Sequence, residues 1–162
     1  MEAATVTLGV IALTALAAWI GEAAVLNFII VPGIAALDEE GRAAFIARCL
    51  PRFFHMATVL SLTAVLSGLA ARVIGSFSPA VPIPVLTGGS PAVIIASILI
   101  AALTCFHLAA QARMRPVAKS FSVGPNPEKL RSLTRFLSIV PRIGLAVIVA
   151  AFVLLTAELL SG

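Results

Sequence analysis

The chain predicts an all-α fold, a polytopic membrane protein built as a four-transmembrane-helix bundle, and three observations lead there. Of its 162 residues 60% are hydrophobic and 11% charged, where a soluble domain carries roughly a quarter charged residues. The mean hydropathy is +1.12, more apolar surface than a core of this size hides, so the expected solvent is lipid. The apolar residues also fall in long uncharged runs, separated by residues that stop and start helices.

A helix needs about 20 mostly apolar residues to cross the hydrocarbon. Stretches at about 5–31, 53–74, 93–112 and 133–160 qualify, and together they read as one transmembrane domain over 1–162. Pro32-Gly33 follows the first stretch and Gly75 the second. Ser90-Pro91 and Asn126-Pro127-Glu128 each place an N-cap before a proline at the first helical position, ahead of the third and fourth. Met1-Glu2-Ala3 opens the chain without a basic segment, and the apolar run behind it is too long for a signal-peptide core. It is read as a retained span.

Orientation follows from the basic residues. The loop after the third stretch carries Arg113, Arg115, Lys119, Lys129 and Arg131 against Glu128, and the first loop carries Arg42, Arg48 and Arg52. Loop 75–90 has no charge, although Arg72 lies just before it. The first and third loops are therefore expected on the cytoplasmic side of the cell membrane, with both termini extracytoplasmic. Asp38-Glu39-Glu40 puts acid at a helix start, and Phe45, Ile46, Cys49 and Leu50 follow on one face. A short interfacial helix is expected there, broken or kinked at Pro51. The uncharged, proline-rich second loop is read as a lid over the outer end, and the third as an exposed connection.

Several function classes lose support at this stage. No segment outside the membrane interleaves Lys/Arg with aromatics, so nucleic acid is not an expected partner. Cys49 and Cys105 lack a paired spacing, which argues against a disulfide framework. The sequence has no phosphate-binding glycine loop, no Ser/His/Asp arrangement and no paired acidic metal cluster. Trp19 reads as packing, and Ala12, Ala15 and Ala18 permit close helix approach.

The ionisable residues inside the stretches are the site candidates, because a charge at membrane depth costs roughly 2.5–3.5 kcal/mol on insertion scales and normally faces the bundle interior. Glu22 and Arg142 both lie about 13 Å deep at 1.5 Å per residue, which allows an intramembrane ion pair between the first and fourth spans. Asn27 is a neutral companion, and Pro141 frees a backbone carbonyl nearby. That pair is either structural or part of a proton or ion relay.

His55 and His107 are the chain's two histidines, each within about 10 Å of the cytoplasmic interface on neighbouring spans. Ser97, Thr104, His107, Gln111 and Met114 share a face of the third span, and Arg52, His55, Thr58 and Leu62 one of the second. If those faces meet, two imidazoles flank one cofactor: a b-type haem with Arg52, Arg113 or Arg115 at its propionates, or alternatively copper with Met56, Met114, Cys105 or Cys49 nearby. Cys105 and His107 point about 160° apart and would not share an ion. The competing reading is a histidine that only hydrogen-bonds to Thr or Gln across helices.

The run IGEAAVLNFIIVPGIAAL, the following ARCLPRFF and the LSGLA at the end of the second span resemble the CopD-type (copper resistance D) membrane family, as do QARMRP and the long fourth span. The HemJ-type proteins are similar in size and helix count. The first resemblance implies copper handling; the second implies haem b and porphyrinogen oxidation. The chain lacks the histidine and methionine wealth of the former and the first-helix histidine of the latter.

The leading expectation is a membrane redox or metal-handling protein that binds haem b, or alternatively copper, through His55 and His107. The alternatives are a cofactor-free accessory subunit of a larger membrane complex or homo-oligomer, and a small-solute or proton transporter using Glu22 and Arg142. Whether it is an enzyme is left open.

Overall fold

The computed structural model describes residues 2–76, 90–121 and 126–161. All regular elements among them are helical. In chain order they are α1 (Glu2–Val25), a π-helical turn (Leu26–Ile30), α2 (Val31–Ala36), α3 (Glu39–Arg48), α4 (Leu50–Ser76), α5 (Pro91–Phe121) and α6 (Pro127–Ser161). Four helical stretches, Ala3–Ala36, Glu39–Gly75, Pro91–Phe121 and Pro127–Glu158, are long and apolar enough to cross a membrane. This is the outline of a multi-pass membrane protein, as the composition requires.

The starts of α5 and α6 are set as their sequences predict. The Ser90 hydroxyl accepts from the Val93 N–H at 3.3 Å, and the Asn126 side-chain oxygen accepts from the Lys129 N–H at 3.1 Å. Each cap satisfies a donor that the first turn leaves without a helical partner. The ends differ more. Pro32-Gly33 does not stop the first helix, which continues to Ala36 through the π turn. A proline ring clashes with the carbonyl four residues back in an α-helix, and the wider π turn just ahead of Pro32 relieves that crowding. The helix breaks instead at Leu37-Asp38.

Asp38 caps α3, its carboxylate accepting from the Gly41 N–H at 2.8 Å, and Glu39 and Glu40 occupy the first turn. Arg42 reaches back to the Leu37 and Ala35 carbonyls at 2.7 and 3.1 Å, closing off the end of α2. A short helix thus occupies the first loop. Its apolar residues Ala43 and Ile46 are buried against the bundle. The break before α4 falls at Cys49, and Pro51 sits in the first turn of α4, where its missing N–H costs nothing. The lid expected at 77–89 and the third-loop residues 122–125 lie outside the described residues.

The four long helices form a closed ring in which α1 packs on α4, α4 on α5, α5 on α6 and α6 back on α1. The α1–α4 seam is the most extensive, and Ala12 and Ala15 are buried along the bundle side of α1. Two core clusters stack along the bundle. One, at the α3 end, contains Ile46, Leu50, Phe54, Met114 and Leu137; the other contains Leu16, Trp19, Ala57, Ile148 and Leu155. Outward faces carry large apolar side chains such as Phe28, Leu66, Ile98 and Ile143, each at least 60% exposed. In lipid such faces are ordinary, and packing inside relies on shape and interhelical hydrogen bonds.

Candidate functional site within the bundle

Where the two core clusters meet, α1, α4, α5 and α6 enclose a cavity of about 50 Å³. Glu22 and His107 both line it, from helices that stand diagonally opposed in the ring. Trp19, one turn before Glu22, packs edge-on against the His107 ring at 5.9 Å, and Phe54 of α4 lies tilted against its other side at 5.4 Å. These two rings fix the imidazole in the cavity wall. Its Nε2 is buried with no hydrogen-bond partner. Glu22 is 8% exposed, and among the described residues it makes no hydrogen bond or ion pair.

The backbone around this cavity is irregular in two helices. The π turn begins four residues after Glu22, and Pro141 interrupts the hydrogen bonding of α6 and lines the cavity. Asn27, in the π turn, ties the two together. Its amide nitrogen donates to the Ala23 carbonyl at 2.7 Å and to the Pro141 carbonyl at 3.0 Å. The carbonyl at the proline is thus taken by Asn27. Single π turns inside α-helices are frequent at functional sites.

A neighbouring polar contact supports the same region. The Thr58 hydroxyl donates to Gln111 Oε1 at 2.8 Å between α4 and α5, with both residues buried. Of the residues expected on those two polar faces, Thr58 and Gln111 are the pair this hydrogen bond joins. Gln111 is paired with Thr58, and Thr104 bonds its own helix at the Ile100 carbonyl, so neither reaches His107.

A second cavity, of about 340 Å³, lies toward the other end of the bundle and is lined by Leu16, Arg72, Ser97 and Leu155 among others. Trp19 of α1, Ala57 and Ser61 of α4, and Ile148 and Ala151 of α6 are each 2% exposed or less.

The structure does not bring the two histidines together. His55 is exposed on the outer surface of α4, one residue round from Phe54, while His107 points inward. Arg52 is exposed beside it, and Arg113 is exposed at a groove between α5 and α6. Arg142 is exposed on α6, and no ion pair joins it to Glu22. Of the sulfur candidates, Met114 is in the core, Cys49 is half-buried, and Met56 and Cys105 are exposed. Among the described residues no group of three or more His, Cys, Asp or Glu converges. A haem or copper ion shared by His55 and His107 therefore does not fit this arrangement.

What the sequence reading missed is the pairing of Glu22 with His107. Glu22 falls in register with Trp19 and Leu26, at spacings of three and four, and those flanking large side chains mark the inward face. Comparison with protein-family profiles, with curated proteins and with solved structures finds no match, and the function is read from these residues.

Proposed function

We propose that the chain is a proton-handling membrane protein in which Glu22 and His107 exchange a proton through the cavity they share. One observation carries this: the Glu22 carboxyl and the His107 imidazole, both from inside membrane-length helices, line one cavity, and among the described residues neither has a hydrogen-bond or ion-pair partner. Ionisable groups at such depth mark ion and proton routes by default. The cavity's volume of about 50 Å³ exceeds the roughly 10–15 Å³ that a water needs, so water can occupy the space between the two groups.

In the transfer step a proton leaves the Glu22 carboxyl, passes over cavity water, and is taken up by His107 Nε2. Carboxylate and imidazolium result, and the reverse step restores both neutral groups. Trp19 and Phe54 hold the imidazole for this, and the 340 Å³ cavity with Arg72 and Ser97 supplies a wider chamber toward the other end of the bundle. Transport is the reading that uses both cavities. On the charge of the first and third loops, this reading puts the site's nearer end on the cytoplasmic side and both termini outside.

The test is proton flux into liposomes containing the purified protein and a trapped pH-sensitive dye. Wild-type protein dissipates an imposed gradient, and Glu22→Gln slows it by roughly a hundredfold, the lower range of what a positioned proton donor contributes. Flux equal to that of protein-free liposomes, or unchanged in Glu22→Gln, contradicts the proposal.

Arg142 favours a second reading, that of a subunit within a membrane complex. It is exposed in the apolar part of α6, where lipid does not solvate a guanidinium, and a further subunit or second copy packed on that face would pair it. Purification in mild detergent tests this: a larger complex that Arg142→Leu dissociates supports it.

A further inference from the structure

We infer that the groove between α5 and α6 is a binding site for one anionic phospholipid, an assignment independent of the proton reading. The groove has a volume of about 420 Å³ and opens on the surface of the bundle, within the range of ligand-sized sites of about 300–1,000 Å³. Its chemistry is divided along its length. Arg113 and Lys129, with Ser132, stand at one end, and Phe106, Ala109 and Phe136 at the other. Both cations are exposed, and among the described residues neither has a carboxylate partner and no acidic side chain lines the groove.

Dimensions match this division. From Arg113 to Phe106 the α5 wall runs about 10 Å at 1.5 Å per residue, within one leaflet of a hydrocarbon core about 30 Å thick. The cations therefore stand at headgroup level when the apolar end lies at acyl-chain depth. Ala109 and Ala110 keep the α5 wall low enough for a chain to lie along it. A small soluble anion would have no use for that apolar floor, and a zwitterionic lipid would gain less from two unpaired cations. Basic pockets between membrane helices are a recognised way to hold anionic headgroups. Phe106 and Phe136 also line the Glu22–His107 cavity, so the acyl end of the bound lipid rests against the outside of its wall.

Full-length protein in detergent is titrated with phosphatidylglycerol and, separately, with phosphatidylcholine, and bound lipid is counted by native mass spectrometry. Phosphatidylglycerol is expected to bind more tightly. At about 1 kcal/mol for each basic residue near an anionic headgroup, the Arg113→Gln/Lys129→Gln double variant loses roughly 30-fold in affinity. Ala109→Trp, which blocks the chain path and leaves both cations in place, weakens binding as well. Arg131→Gln, exposed but outside the groove, leaves it unchanged. Equal binding of the two lipids overturns the assignment, as does undiminished affinity in the double variant or full competition by inorganic phosphate. The helix content of every variant is checked by circular dichroism, and Ala109→Trp decides the matter if the double variant is unfolded.

Discussion

Glu22 and His107 line one cavity from diagonally opposed helices, and neither has a hydrogen-bond or ion-pair partner among the described residues. The imidazole is clamped between Trp19 and Phe54, the carboxyl lies one turn from Trp19, and a π turn and a proline distort the backbone beside them. Several consequences can be measured.

Glu22 and Arg142 are uncoupled. In a double-mutant cycle of Glu22→Gln and Arg142→Leu, read as unfolding free energy in mixed micelles, the two changes should add within about 0.5 kcal/mol. A coupling well above about 1 kcal/mol would establish the ion pair instead.

The two histidines should behave differently. His55 is exposed, and His55→Ala is expected to change stability by no more than about 0.5 kcal/mol. His107→Ala removes the partner of two aromatic rings, each such contact being worth about 0.5–1.5 kcal/mol, and should cost roughly 1–3 kcal/mol. The same unfolding assay reads both.

Thr58 and Gln111 should act as a unit. Thr58→Val leaves a buried amide oxygen without its donor and is expected to cost about 0.6–1.7 kcal/mol, the range measured for interhelical hydrogen bonds in membranes. Adding Gln111→Leu should cost less than the sum of the single changes, because the stranded group is then gone.

Gly144 gives a way to close the cavity without touching its ionisable groups. A methyl placed there meets Leu103 Cδ1 at 3.7 Å, an ordinary contact, so Gly144→Ala should keep both fold and flux. Gly144→Val extends further into a space of only about 50 Å³, and should abolish proton flux while helix content is retained.

The spans were legible because length and capping are local properties. Ser90 and Asn126 announce the starts of α5 and α6, and the hydrogen bonds from Val93 and Lys129 are where those residues predict them. Pro32 misleads as a stop signal because its effect depends on the turn before it, and a π turn is not written in any short motif. The site was half legible. His107 and Glu22 stand out as ionisable residues in apolar runs, but which residues face one another depends on helix rotation. On α4 the inward stripe runs through Phe54, Ala57, Thr58 and Ser61; His55 is next to Phe54 in sequence and about 100° away around the helix. A choice of face anchored on Thr58 alone admits either residue, and small or aromatic packing partners decided it.

The most direct test of the shared cavity is infrared difference spectroscopy of the protein in lipid across a pH jump. A carboxyl band lost in Glu22→Gln, shifted in His107→Gln and unmoved in His55→Gln is the result expected if Glu22 and His107 are joined through cavity water. A Glu22 band that His107→Gln leaves in place, or that His55→Gln shifts equally, would contradict the account.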